Sequence, residues 1–322
     1  MALGAQLQGG RMQSDEVLIL GSSSPAGSHL AAALNRRSIR HRAVLQSSKN
    51  RDKSFVVAAD EPSEVTLTDV DALTFALRGY RIVYDCLTAA SEDPLQYRAG
   101  ARNLAIAIAK TSVKVIHVTN YWSYFPLAYL PLDEEHPREG GEDWARYRRE
   151  AEDVLLAAGS AIVHLPDLYG PFVRGGLIQR AIEDAYTTRQ IRWIGATNVD
   201  REYAFAPDAM EAVVRLSYCS EAMGQRWMVG GNGSFSAERL AEIASKKLDA
   251  KVSLSTVGPF ALKLRSFFDE KARAWRQMPD PSQPIGFNCD KIKGMIGLVP
   301  TTGVEQGIAR TLEWMDRRRS VK

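Results

Sequence analysis

The apolar positions of the first half follow two rhythms in turn. Val17–Leu20, in "EVLILGSSSPAGSHLAAALNRR", is a short unbroken apolar run, the mark of a strand buried on both faces. After a Gly/Ser loop, Leu30, Ala33 and Leu34 fall at helical spacing. "HRAVLQSSKN" reads as a second strand centred on Ala43 to Leu45, and either "SFVVAAD" or "SEVTLTD" supplies a third. "DVDALTFALRG" predicts a capped amphipathic helix that stops at Gly79. There follow a fourth strand in "YRIVYDCLTAA", a helix in "YRAGARNLAIAIAKT" and a fifth strand in "VKVIHVTNYWS". A helix over residues 142–159, "EDWARYRREAEDVLLAAG", leads to a sixth strand in "AIVHLPDLYGP". Strict strand–helix alternation predicts an α/β protein with a Rossmann-type, doubly wound, mostly parallel sheet.

Beyond about residue 170 the pattern loosens. "GGLIQRAIEDAYTTRQ" reads as a helix and "REYAFAPDAMEAVVRLSYCS" as a short strand followed by a helix. "RWMVGGNGSFSAERLAEIASKKL" is strand, turn and capped helix, and "PTTGVEQGIARTLEWMDRRR" a closing helix. With no Pro/Gly/Ser-rich linker and no internal repeat, we expect a dinucleotide-binding domain over 15–170. A smaller substrate-binding lobe over 171–322 is interleaved with it, and residues 1–14 form a disordered leader.

Composition changes this picture little. The 322 residues are 45% hydrophobic and 25% charged, ordinary for a soluble globular protein. A formal charge of +3 gives no reason to expect nucleic acid, and "LNRRSIRHR" and "MDRRRSVK" read as solvated helix ends or tails. Cys86, Cys219 and Cys289 are widely spaced, no Cys-x-x-Cys occurs and the histidines form no ligand pattern. The expectation is reduced thiols, a cytoplasmic location and no metal. No apolar run reaches membrane-spanning length, and "MALGAQLQGGRMQSDE" lacks the apolar core of a signal peptide. The expected partner is a small-molecule substrate.

The candidate chemistry begins at "GSSSPAG". A pyrophosphate needs backbone N–H groups at a helix N-terminus, where the dipole and unpaired donors favour an anion. Gly21 lets the chain turn sharply, Gly27 lets the helix pack closely on the strand, and Pro25 suits the first helical turn. Ser23, Ser24 and Ala26 complete a loop that reads as a dinucleotide cradle.

"VLILGSSSPAGSHLAAAL" resembles the start of the extended short-chain dehydrogenases, the NAD-dependent epimerase/dehydratase family, with Ser24 in place of the middle glycine of Gly-x-x-Gly-x-x-Gly. The resemblance continues through "LTDVDALTFALRG", "ARNLAIAIA", "LPLDEEHP", "DLYGP", "YAFAPDAMEAV", "MVGGNGSFSAERLAEIA" and "GLVPTTGVEQGIARTLEWM". It implies NAD or NADP as cofactor and a sugar nucleotide or specialised metabolite as substrate. It also implies a homodimer in which helix 142–159 joins a four-helix bundle. The end of the second strand offers Gln46 and Lys49, with Arg51, and no acid, which leans toward NADP. Thr66, or Asp60, matches the family's position near the adenine; Leu87 and Thr88 in "CLTAA" are cofactor candidates at the same sheet edge as "PDLYGP", the loop with Pro166 and Leu168 that the resemblance implies borders the nicotinamide.

The family's redox chemistry uses a tyrosine as acid/base, a lysine that lowers its pKa and holds the nicotinamide ribose, and a Ser or Thr on the substrate oxygen. Matching "REAEDVLL" places Trp144 at the tyrosine position and Arg148 at the lysine position. Tyr147, one position before Arg148, is the nearest phenol, and a solvated or core-facing helix is the alternative reading for all three. Matching Tyr124 places Asn120 at the Ser/Thr position, with Thr119 just before it; strand-end capping is the alternative. Tyr121, Trp122, Tyr124 and Tyr169 are candidate substrate contacts, and Arg174, Arg180, Arg192, Arg201 and Arg265 candidate phosphate ligands. Three readings stay open: an NAD(P)-dependent epimerase/dehydratase-like enzyme or reductase with a non-standard site; a non-redox isomerase, lyase or cyclase on the same scaffold; and a non-catalytic nucleotide-binding protein.

Overall fold

Seven strands pair in parallel to form the central sheet. The computed structural model describes residues 17–45, 63–87, 94–257, 280–297 and 302–320. The six N-terminal strands are β1 (Val17–Leu20), β2 (His41–Leu45), β3 (Ser63–Glu64), β4 (Ile82–Asp85), β5 (Lys114–Asn120) and β6 (Ala161–Leu165). Between them run α1 (Pro25–Arg36), α2 (Val70–Leu77), α3 (Pro94–Ala109) and α4 (Asp143–Ala157). The order 3-2-1-4-5-6 is that of a dinucleotide-binding sheet, with the switch point between β1 and β4. The third strand lies in the second of the two stretches read for it; the first, 54–60, falls outside the described residues.

Strand alternation sends one set of side chains to each face. Val17, Ile19, Ile82, Tyr84, Ile116, Val118, Ala161 and Val163 share a buried core with α1. Leu18, Leu20, Val83, Val115 and Ile162 share the opposite core with α2, α3 and α4. On that second face the apolar rows give way to Asp85, His117, Thr119 and His164 toward the carboxyl ends, all 4% exposed or less.

The second half supplies β7 (Leu168–Tyr169), α5 (Leu177–Thr188), β8 (Gln190–Ile194), β9 (Arg201–Glu202), β10 (Ala204–Phe205) and α6 (Ala206–Ser217). It continues with β11 (Arg226–Met228), β12 (Ser234–Phe235), α7 (Ala237–Leu248), β13 (Ser253–Val257), α8 (Asp290–Ile296) and α9 (Val304–Ser320). Three of these elements belong to the first unit: β11 pairs with β6, and α6 and α8 pack on the same core as α1. Most of the rest gather around a separate core of α5, β8, α7 and α9 residues, including Ile178, Ile182, Trp193, Leu240, Ala244, Ile308 and Leu312. The parallel pair β8–β13 edges this core. The pattern reading left both strands unassigned, because "RQIRWIG" alternates polar and apolar over only five residues.

His29 of α1 joins the units. It is 5% exposed, and its Nε2–H donates to the Pro171 carbonyl at 2.7 Å. Burial pushes its pKa down to about 4, with the Pro171 carbonyl opposing and Arg36 assisting. The unfolded chain takes up a proton here that the folded chain refuses. The contribution of neutral His29 is therefore complete above pH ~6.5 and is lost as the pH falls toward 4, roughly 3 kcal/mol in all. Urea unfolding between pH 7 and 4 should show that slope in the natural protein and a much shallower one in His29→Gln.

Candidate functional site

The glycine loop is built as a cradle. Gly21 has φ +81°, and a Cβ there would stand 2.8 Å from the Leu87 amide nitrogen. A Cβ on Gly27 would collide with the Gly21 carbonyl oxygen and stand 2.8 Å from Ser22 Cα. Both neighbours are backbone, so only glycine lets α1 start this close to the strand end. Ser24 caps the helix, its hydroxyl accepting from Gly27 N at 3.0 Å. Ser23, Ser24, Pro25 and Ala26 are partly exposed around the mouth. Among the neighbours read with this loop, Leu87 is 1% exposed with its amide donating to Asp85 Oδ1 at 3.0 Å. Pro166 is buried, Leu168 packs against the α1 core, and Thr66 is exposed, its hydroxyl 2.8 Å from that of Thr68. Gln46, Lys49, Arg51, Asp60 and Thr88 lie outside the described residues.

Helix α4 brings Trp144 and Arg148 together and carries Tyr147 away from them. Trp144 and Arg148 are one turn apart on one face, whereas Tyr147 is about 100° around the helix from Arg148. Arg148 is 6% exposed, its guanidinium 5.2 Å from the ring centre of Trp122 and 5.1 Å from that of Tyr97. Its Nε and Nη1 are buried with no hydrogen-bond partner. Burial pulls its pKa down and the neighbouring Tyr97 and Glu152 resist, but a guanidinium keeps its charge at any ordinary pH. Trp144 lies edge-on to Trp122 at 6.2 Å and tilted to Phe125 at 6.1 Å, an aromatic wall beside that charge. Tyr147 instead has Arg98 of α3 at 4.6 Å from its ring centre and Arg146 at 5.0 Å, on the flank where Arg98 also pairs with Glu150. Tyr147, read as the nearest phenol, therefore lies on the α3 flank of the helix and not beside the Arg148 guanidinium.

At the end of β5, Asn120 takes the capping role: its side-chain oxygen accepts from Trp122 N at 3.0 Å and starts the short 3-10 turn Tyr121–Tyr124. Thr119 faces the other way, its hydroxyl 3.4 Å from the Tyr97 hydroxyl. Tyr121 is buried, its hydroxyl accepting from Arg201 at 2.8 Å, and Arg201 also holds the Gln283 carbonyl. Of the candidate arginines only Arg201 is buried; Arg174, Arg180 and Arg192 are exposed, and Arg265 lies outside the described residues. Two expected substrate contacts are core residues instead. Tyr124 is 0% exposed, 4.9 Å from the His164 ring, under the Arg138 guanidinium. Tyr169 is 2% exposed against Phe205 and Phe235, its hydroxyl tight under Gly307 of α9.

A buried ionic cluster anchors α4. Glu152, 0% exposed, accepts from Arg138 Nη2 at 2.5 Å, and His164 Nε2 of β6 lies 3.1 Å away. Burial alone would raise its pKa; His164 and Arg138 outweigh burial and hold it at about 2. Asp153, next along, pairs with Arg138 at 2.6 Å and with Arg226 of β11 at 2.5 Å. Arg149 donates to the Phe125 carbonyl at 3.0 Å and to that of Ser123 at 3.2 Å. Residues 148–153 thus fix the helix to the sheet, the 3-10 turn and the loop after it, and so fix where Arg148 stands. None of Arg138, Glu152, His164, Tyr97, His117 and Asp85 was picked out from the sequence.

A model of the "NAD dependent epimerase/dehydratase family" matches residues 17–230. The chain is 24% identical over 160 residues to the "Probable UDP-glucuronate 4-epimerase" of Rhizobium meliloti, a stretch that is 47% of this chain and 44% of that protein. The match thus spans less than half of that relative's length. Among solved structures, an epimerase of Methanothermobacter thermautotrophicus superposes with TM-score 0.78 at 14% identity, covering 96% of this chain and 94% of the other. The dTDP-glucose 4,6-dehydratase of Bacillus anthracis, solved in complex with NAD, gives TM-score 0.76 at 14% identity over 95% and 97%. At such identities the likeness is one of fold.

Proposed function

The chain belongs to the NAD dependent epimerase/dehydratase family, and from that premise we propose an NAD-using enzyme acting on a sugar nucleotide, with Trp144 and Arg148 standing where the family has its tyrosine and lysine. The observation that carries the proposal is the Arg148 guanidinium. It is 6% exposed with two nitrogens lacking a hydrogen-bond partner, and buried donors left that way cost several kcal/mol unless a ligand completes them. The glycine cradle, which no side chain could enter, agrees with a pyrophosphate at the start of α1.

When bound, the cofactor supplies reversible acceptance of a hydride from the sugar carbon. The amides and serines of 22–27 would hold its pyrophosphate, and Arg148 its nicotinamide ribose. Trp122, Trp144 and Phe125 exclude water from the space beside Arg148, which strengthens every polar contact made there. The proton that leaves the sugar hydroxyl has to go to a group other than Trp144, because an indole N–H does not titrate in water. The leaning toward NADP rests on Lys49 and Arg51 alone; we expect NAD to bind more tightly.

Calorimetric titration with NAD, NADH, NADP and NADPH tests this. Binding of NAD is expected, weakened about 10–100-fold in Arg148→Ala, the usual worth of hydrogen bonds from a charged group. No binding of any of the four would overturn the proposal. Binding without turnover of any sugar nucleotide would favour the non-redox or non-catalytic readings.

A further inference from the structure

Four polar side chains cross the buried face of the sheet in one line. Asp85 Oδ2 lies 2.8 Å from His117 Nδ1, and His117 Nε2 lies 2.8 Å from the Tyr97 hydroxyl. That hydroxyl is 3.4 Å from Thr119 Oγ1, the loosest link. Asp85, His117 and Tyr97 are 0% exposed and Thr119 4%. The line is written into the topology. Asp85 of β4 is the register partner of His117 on β5, and Thr119 is two residues further along the same face. Tyr97 comes down from the first turn of α3 to meet both. One end lies behind the glycine cradle, where Leu87 N binds the other oxygen of Asp85. The other end is the carboxyl end of β5, the edge where ligands sit in such sheets.

We propose that Thr119, Tyr97, His117 and Asp85 form the proton relay of this site, with the Tyr97–His117 pair doing the acid–base work that α4 lacks. This rests on the proposed NAD-using reaction. As the substrate C–H bond gives its electron pair to NAD as hydride, the substrate O–H bond breaks and C=O forms. The hydroxyl proton passes to Thr119 Oγ, the Thr119 proton to the Tyr97 oxygen, and the Tyr97 proton to His117 Nε2. His117 is left as an imidazolium against the Asp85 carboxylate, and Thr119 and Tyr97 are each neutral again. The return of hydride runs the same transfers backwards.

Two features favour a relay over a passive polar core. With Asp85 ionised, its oxygen takes the Nδ1–H of neutral His117. Nε2 is then a lone pair aimed at the phenol, the tautomer a base needs. The charges at the two ends also have the right signs. Any shift of the phenol proton toward His117 places positive charge beside Asp85 and negative charge beside the Arg148 guanidinium, 5.1 Å from the Tyr97 ring centre. Burial holds the Tyr97 phenol well above its ordinary range, and the charges of Glu152 and Asp85 add to that, while Arg148 and the Thr119 hydroxyl favour the phenolate.

The test uses the full chain with NAD and with UDP-glucuronic acid as probe sugar nucleotide. Tyr97→Phe and Thr119→Val should each lower kcat about a hundredfold, with KM and the affinity for NAD changed less than about threefold. Thr119→Ser should recover most of that loss. In the natural protein the kcat–pH profile should follow one ionisation that Tyr97→Phe removes. Independently of turnover, 15N NMR of His117 should show the Nδ1–H tautomer that the Asp85 contact implies, with its Nε2 signal displaced when NAD binds. The same signals should stay put in Thr119→Val and in Asp85→Asn lose the Nδ1–H form. Wild-type rates and pH profiles in both variants, or His117 signals indifferent to NAD in a protein that binds it, would overturn the relay alone. Absence of NAD binding would overturn the proposed function and the relay with it.

Discussion

Gly27→Ala is expected to weaken NAD binding at least a hundredfold while leaving the fold intact. Alanine is the better helix former by about 1 kcal/mol, so propensity alone predicts a mild stabilisation. The added methyl, however, meets the Gly21 carbonyl and lies 2.8 Å from Ser22 Cα, neither of which can rotate aside as a side chain could. Overpacking of this kind costs about 1–3 kcal/mol, and here it is relieved by opening the loop against which a pyrophosphate must sit. A loop moved by a fraction of an ångström loses amide donors, and each 1.4 kcal/mol is about a tenfold loss of affinity. Calorimetry with NAD gives the affinity, and thermal unfolding shows whether the protein is still folded. Affinity within threefold of the natural protein would mean that the start of α1 is not where the cofactor is held.

Glu152→Ala is expected to cost roughly 3–5 kcal/mol of stability, the usual result of removing one partner from a buried ionic cluster. Arg138 would keep Asp153 as a partner, at 2.6 Å, but His164, 0% exposed, would lose the carboxylate at 3.1 Å. Glu152→Gln keeps the shape and should cost less. The pH dependence separates this group from His29. Burial works against ionisation of Glu152, and His164 and Arg138 prevail, holding it at about 2. Its contribution is therefore present above pH ~4.5 and lost as the pH falls toward 2, a window below the one in which His29 acts. Denaturant unfolding at pH 7 and at pH 3 for both Glu152 variants checks the magnitude and the sign together. A loss under ~1 kcal/mol in Glu152→Ala would show that the cluster does not hold α4 in place.

The sheet and the glycine loop were legible because their signals are local. Val17–Leu20, the glycines at 21 and 27 and the helical spacing of Leu30, Ala33 and Leu34 each report on neighbours a few residues away. Asp69 and Gly79 mark the ends of α2 in the same way. The relay was hidden because it depends on register. Asp85, His117 and Thr119 lie in apolar runs where each reads as a blemish, and only the pairing of Asp85 with His117 turns two blemishes into a contact. Tyr97 sits in a helix whose pattern predicts nothing beyond burial. A usable signal was nonetheless present: in "IVYD", "VIHVTN" and "AIVHL" polar residues interrupt the strands on the same face, Asp85 level with His117 and Thr119 level with His164. The misplacement of Tyr147 has a different cause. It is three positions from Trp144, which is near enough for one face of α4, but 100° from Arg148, which is not.

The pairing of β11 with β6 bears on how the molecule is made. The N-terminal sheet is not finished by its own residues, because the outer edge of β6 gains its partner from Arg226–Met228 and the face carrying α1 is completed by α6 and α8. During synthesis, the strand that closes this sheet leaves the ribosome after the whole of α5 and α6, so a growing chain cut at residue 170 presents a bare strand edge and an uncovered apolar layer. A fragment ending there should aggregate, whereas the same fragment made together with the remainder of the chain should be rescued into a soluble pair.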